Sequence, residues 1–148
     1  MSGFVGALHE FHDAEFAQGW ANRFVPTPER LQLFDTIIER LIEGPLPSRH
    51  IVELGIGPGY LAARLLEKMP DVTYEGIDFS RAMLDIAASR LERFSSRIEY
   101  TQADLVKEEW GAKVTRPVGA IVSTWALPPT PRASIRHVEA FFRGAAYS

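Results

Sequence analysis

His50-Ile51-Val52-Glu53-Leu54-Gly55-Ile56-Gly57-Pro58-Gly59-Tyr60 decides how the rest of the chain is read. Ile51, Val52 and Leu54 form a short apolar run, three alternating glycines follow, and apolar residues at helical spacing begin directly afterwards. That order predicts a buried parallel strand, a tight turn and a helix N-terminus, the opening unit of an α/β nucleotide-binding fold. Without a Cβ, the turn can take positive φ and let a bulky ligand lie against its backbone. Glu53 sets a carboxylate at the mouth of the strand, beside whatever the loop holds.

The glycine spacing separates two ligand classes. A dinucleotide-binding turn needs G-x-G-x-x-G, so that backbone N–H groups and the helix dipole face a pyrophosphate. Here the third glycine comes one residue early and Tyr60 fills the sixth position. E-x-G-x-G-x-G suits a ligand with a ribose, no pyrophosphate, and an ammonium or other cation for Glu53 to meet. A glycine turn with no ligand is the other reading of this stretch. Glu53 to Gly59 resembles the first motif of the class I, Rossmann-like, S-adenosylmethionine-dependent methyltransferases.

Upstream, Thr27 can cap a helix that starts at Pro28, a pairing that helix N-termini favour. Leu31, Phe34, Ile37, Ile38, Leu41 and Ile42 recur at helical spacing until Gly44-Pro45 ends the run. Residues 1–27 are aromatic and mixed, with Leu8, Phe11, Phe16 and Trp20 able to share one helix face. In the resembling family such a segment often covers cofactor and substrate, which makes residues 8–24 a candidate lid; core packing is the alternative. His9 and His12 lie on that segment without a further histidine nearby, so they read as a solvated helix face, and no metal site is expected.

Downstream, Leu61, Leu65, Leu66 and Met69 mark a helix ending before Pro70, and a second strand runs from Val72 to Asp78. Asp78 lies 19 residues beyond Gly59, where a carboxylate at a strand end can bond both hydroxyls of a ribose. The alternative, a cap for the next helix, is weaker because Ser80 is better placed. Met83, Leu84, Ala87, Ala88 and Leu91 give that helix its apolar stripe, and Phe79 and Met83 lie close enough to Asp78 to touch a ribose or adenine edge. A third strand, Ile98 to Ala103, delivers Asp104, able to accept from an adenine amino group, and Leu105, whose N–H can donate to a ring nitrogen. A solvated Asp104 is the competing reading. The fourth strand is Val118 to Thr124, with Trp125 just beyond.

The resemblance to the methyltransferases covers about residues 28–127, with Glu53–Gly59, Tyr74–Leu84, Ile98–Leu105 and Ala120–Leu127 matching the family's motifs in order. It implies an α/β, doubly wound parallel sheet of strand order 3-2-1-4, and S-adenosylmethionine as cofactor. Gly119-Ala120 departs from the acidic residue that many relatives carry there. Leu127-Pro128-Pro129-Thr130 is superficially similar to the Asp/Asn-Pro-Pro-aromatic motif of nucleic-acid and protein amide methyltransferases. Leu127 cannot accept from an amine and Thr130 has no stacking face, so that match is set aside. The tail, 128–148, has room for one short helix over 132–143, and the family's last strands find no residues. The expectation is a shortened chain, through truncation or an altered reading frame.

The chain's 148 residues predict one domain: a core over 28–127 between an N-terminal segment and the tail. With 46% hydrophobic and 24% charged residues and a formal net charge of −3, it offers no electrostatic reason to bind nucleic acid or an anionic membrane. The absence of cysteine excludes disulfides and thiolate metal sites. No apolar run approaches the roughly 20 residues of a membrane span and no signal-peptide pattern opens the chain, so a cytoplasmic protein is expected.

Three functions follow from these features. The leading one is in-line methyl transfer from S-adenosylmethionine to a small molecule, where positioning supplies much of the acceleration. Glu53 would meet the methionine amino group, Asp78 the ribose and Asp104 the adenine, with Gly55, Gly57, Gly59, Phe79, Met83, Leu105 and Ser123 completing the cofactor set. His12, Asp13 and Ser123 are the candidate bases. The second function is cofactor binding without turnover, and the third, a nicotinamide-dependent oxidoreductase, is disfavoured by Tyr60 and Glu53. An open edge at the fourth strand, or exchange of the tail, predicts a homodimer.

Overall fold

The computed structural model describes residues 13–23, 25–105 and 110–124. The expectations for His9, His12, Trp125, the Leu127–Thr130 stretch, the first part of the lid and the 128–148 tail therefore lie outside the described residues.

Helix α1 (Ala14–Arg23) is followed by α2 (Pro28–Glu43). The Thr27 hydroxyl accepts from the Arg30 N–H at 3.2 Å and Pro28 occupies the first turn, while the Gly44 N–H closes the other end on the Arg40 carbonyl. Strand β1 (His50–Leu54) is buried at every position and leads through the glycine turn into α3 (Tyr60–Lys68). Next come β2 (Thr73–Asp78), α4 (Arg81–Arg90), β3 (Ile98–Gln102) and β4 (Ala120–Val122). Ser80 caps α4 by accepting from the Met83 N–H at 3.1 Å. Single 3₁₀ turns at Glu92–Phe94 and Trp110–Lys113 fall outside the apolar periodicity of the sequence.

The sheet order is β3-β2-β1-β4 and every pairing is parallel, as the glycine turn and the resemblance imply. Alternation along the strands divides the core in two. Ile51, Tyr74 and Ile98 face Phe34 and Ile38 of α2, Leu61, Leu65 and Leu66 of α3, and Leu84 and Leu91 of α4. Val52, Leu54 and Ile77 face the other way, against Leu105, Trp110 and Val118. Arg97 fastens the end of α3 to the sheet, donating to the carbonyls of Leu66, Met69 and Val72 at 3.0, 2.6 and 3.2 Å.

The fourth strand is shorter than its sequence suggests, Ala120–Val122 rather than 118–124. Val118 packs into the second core, and the Gly119 N–H bonds the His50 carbonyl at 2.7 Å. A Cβ at Gly119 would collide with the Ser48 backbone, which accounts for the glycine at this position. Ser123, past the strand, bonds β1 through its side chain: Oγ donates to the Leu54 carbonyl at 3.0 Å.

Candidate functional site

In a parallel sheet the carboxyl ends of all strands open on one edge, where ligands of open α/β sheets bind. The glycine turn stands on that edge. Gly55, Gly57 and Gly59 have φ of +73°, +55° and +87°. The N–H groups of Gly55 and Ile56 both reach the Ile77 carbonyl, at 2.6 and 3.1 Å, which ties the turn to β2. Gly57 and Gly59 are glycines for different reasons. A Cβ at Gly59 would sit 2.8 Å from Leu91 Cδ1, so there α3 and α4 pack too closely for a side chain. A Cβ at Gly57 would meet nothing within 4 Å: its backbone borders open space.

Asp78, 7% exposed, stands at the end of β2 beside this turn. Its Oδ2 accepts from the Gly57 N–H and its Oδ1 from the Ser80 N–H, both at 3.0 Å. The carboxylate thus already holds the turn and the start of α4 together, alongside Ser80, which caps α4 as the sequence suggests.

Next to the turn, a cavity of about 220 Å³ is lined by Val25, Thr27, Arg30, Glu53, Tyr60 and Thr124, among others. Arg30 Nη2 donates to the Thr124 carbonyl at 3.0 Å and joins α2 to the end of β4. Glu53 is 2% exposed, and its Oε1 accepts from the Tyr74 hydroxyl at 2.6 Å. Burial pushes the Glu53 carboxyl up to about 8; the Tyr74 hydrogen bond opposes this and the charge of Asp78 adds to it. Burial likewise drives the Tyr74 phenol well above its ordinary value, with the Glu53 charge and hydrogen bond acting in the same direction. Tyr60 closes one side of the cavity, its hydroxyl donating to the Ala21 carbonyl of α1 at 2.9 Å under the Arg90 guanidinium, 4.2 Å from the ring centre.

Glu53, Gly55, Gly57, Gly59 and Asp78 gather at the carboxyl ends of β1 and β2. Phe79 follows Asp78, half-buried, with its carbonyl accepting from Gln102 Nε2 at 3.0 Å. Met83 is buried in the first turn of α4, and Asp104 is half-buried just past β3. The Leu105 side chain belongs to the second core, and the Ser123 hydroxyl is committed to Leu54. Asp13 is exposed at the start of α1, where its Oδ1 accepts from the Phe16 N–H at 2.8 Å, and it does not line the cavity. Tyr74, Arg30 and Thr124 were not singled out from the sequence. None of them left a signal that sequence alone could use: the register Ile51↔Tyr74 puts Tyr74 on the same sheet face as Glu53, and sequence alone does not give register.

Residues 51–143 match a family described as a methyltransferase domain. The chain is similar to malonyl-[acyl-carrier protein] O-methyltransferase of Paenibacillus sp. (strain JDR-2), 32% identical over 116 residues that cover 76% of this chain and 41% of that protein. It is also similar to release factor glutamine methyltransferase of Rhodopirellula baltica, 31% identical over 90 residues, 57% of this chain and 30% of that one. The chain thus spans less than half the length of these relatives. A solved structure from Methanococcus maripaludis, described as a candidate S-adenosyl-L-methionine-dependent methyltransferase, superposes with a TM-score of 0.65. It is 21% identical and covers 86% of this chain and 57% of its own, a likeness of fold.

Proposed function

The chain belongs to the methyltransferase domain family, and from that premise we propose that it binds S-adenosylmethionine and transfers the methyl group to a small molecule. The observation that carries this reading is Gly57, held at φ +55° with open space where a side chain would be, between Asp78 and the cavity of Glu53. A volume of about 220 Å³ is below the roughly 300–1,000 Å³ of a pocket for a whole ligand, so it fits the amino-acid end of the cofactor. The adenosine then lies outside it, along the turn.

When bound, S-adenosylmethionine supplies a methyl group on a positively charged sulfur. Glu53 receives the methionine ammonium, Asp78 the ribose, Asp104 the adenine amino group, and the Leu105 N–H a ring nitrogen. Gly55 and Gly59 shape the turn, Phe79 and Met83 border the nucleoside, and Ser123, its hydroxyl bonded to the Leu54 carbonyl, completes the set at the end of β4. Burial of Glu53 strengthens its attraction to the ammonium. The net charge of −3 gives polyanions no attraction, in keeping with a small acceptor.

Calorimetric titration with S-adenosylmethionine and with NADH tests the cofactor reading. Binding of the first alone supports it, and binding of NADH alone overturns it. A transfer assay then compares small alcohols, phenols, amines and carboxylic acids with an acyl-thioester carboxylate and a glutamine peptide, the last two prompted by the relatives' names. Transfer only to the glutamine peptide would overturn the small-molecule part of the reading, and binding without any transfer would favour a cofactor-binding protein.

A further inference from the structure

Glu53 is an unusual carboxyl group. Buried carboxylates are ordinarily paired with a cation or wrapped in donors, because burying an isolated charge is costly. Among the described residues, Glu53 receives one hydrogen bond, from Tyr74, and forms no salt bridge. The groups that surround it are Tyr74 and Asp78 on β2, Arg30 on α2, Tyr60 on α3 and Thr124 after β4. Asp78 repels a charge on Glu53, and the Arg30 guanidinium is directed to the Thr124 carbonyl and lies over Phe34, 5.9 Å from the ring centre.

We propose that Tyr74 is a positioning residue that makes Glu53 a proton-releasing receptor for the positive end of the ligand. This rests on the cofactor reading above. The Tyr74 hydroxyl holds one carboxyl oxygen; arrival of the ligand's ammonium breaks the carboxyl O–H bond, the proton leaves to water, and the carboxylate keeps the electron pair and faces the cation. One positive charge goes out as another comes in, so the buried site never carries an unpaired negative charge. The carboxyl's own tendency agrees: with burial lifting it to about 8, Glu53 carries its proton at neutral pH. The Tyr74 hydrogen bond lowers that value, so Tyr74 makes ionisation easier.

Titration of the full chain with S-adenosylmethionine at pH 6.5, in phosphate and in imidazole buffer, counts the protons exchanged, since the two buffers differ in ionisation enthalpy. At this pH the ligand's amino group is itself fully protonated. We expect close to one proton released per ligand bound by the wild type, and none by Glu53→Gln. Tyr74→Phe should bind about tenfold more weakly than the wild type at pH 7, because loss of the hydrogen bond raises the Glu53 carboxyl further. That ratio should narrow as pH rises, and it cancels the ligand's own titration because both proteins meet the same ligand. A purely structural Tyr74 would weaken binding equally at every pH. Wild-type binding without proton release, or a constant Tyr74→Phe ratio, overturns the proposal and leaves the cofactor reading intact. Absence of binding by the wild type overturns both. If Tyr74→Phe fails to fold, the proton counts of the wild type and Glu53→Gln still decide.

Discussion

Glu53 and Glu75 are buried almost equally, at 2% and 3% exposure, and sit on adjacent strands one step of register apart. On the face opposite Glu53, Glu75 uses both oxygens: Oε1 pairs with His50 Nε2 at 3.3 Å and Oε2 accepts from the Thr101 hydroxyl at 2.7 Å. His50 is braced in turn, its Nδ1 lying 2.7 Å from Thr73 Oγ1. Glu53 has one donor and a cavity. Two identical side chains thus sit in different settings: one stitches three strands together, and the other keeps a single donor and borders a cavity. Burial alone does not separate them; the number of partners does.

The sharpest break in this comparison is Glu75→Ala. It leaves the buried His50 and the half-buried Thr101 short of a partner, and unfolding in urea should show a loss of about 3 kcal/mol, the scale of buried polar groups left unsatisfied. Ligand affinity of the folded fraction should stay near wild type; a loss of less than about 1 kcal/mol would show that the network is slack.

Glu53→Gln should act in the opposite direction. A carboxyl raised from 4.5 to about 8 stabilises the fold in its protonated form, fully below pH 4.5, and that contribution is lost as pH rises to about 8. At pH 9 the variant should therefore be more stable than wild type by about 3 kcal/mol, a figure reduced for water penetration, while the two converge near pH 4.5. Parallel stability–pH curves for the two proteins would refute this.

Gly57→Val tests the open side of the turn. A β-branched residue at φ +55° is strained and its side chain fills the open space beside the turn. Affinity for S-adenosylmethionine should fall by more than about a hundredfold, or about 2.7 kcal/mol. Near-native affinity in a folded variant would make the turn purely structural.

The smallest effect is expected at Asp78. Asp78→Ala should weaken S-adenosylmethionine binding by about 2 kcal/mol, as charge-assisted hydrogen bonds are lost. Because Asp78 also holds the Gly57 and Ser80 amides, thermal unfolding should shift down as well. An unchanged dissociation constant with a lowered melting temperature would assign it to the scaffold alone.

The strands and the glycine turn were legible because each is written locally, as apolar runs, glycine spacing and caps at Thr27 and Ser80, while the strand order came from the family resemblance. Glu53 and Asp78 were legible as strand-end carboxylates. The partner of Glu53 was not: Tyr74 is 21 residues away and reads as an ordinary strand aromatic until register places it. The second bond of Asp78, to Gly57, was hidden for the same reason. Trp110, 1% exposed, sits in a 3₁₀ turn too short to carry a period, so nothing local marked it as core. Short β4 was overread because Val118 and Ser123 look like strand residues while making other bonds.

The Val25–Thr27 wall of the cavity is fastened on both sides, by the Tyr60 hydroxyl on the Ala21 carbonyl and by the Thr27 hydroxyl receiving the Arg30 amide. A loop tethered at one end would have to give up its conformational freedom each time a ligand settled against it. Here hydrogen bonds on either side of the wall form during folding, so part of that entropy is already lost before any molecule arrives.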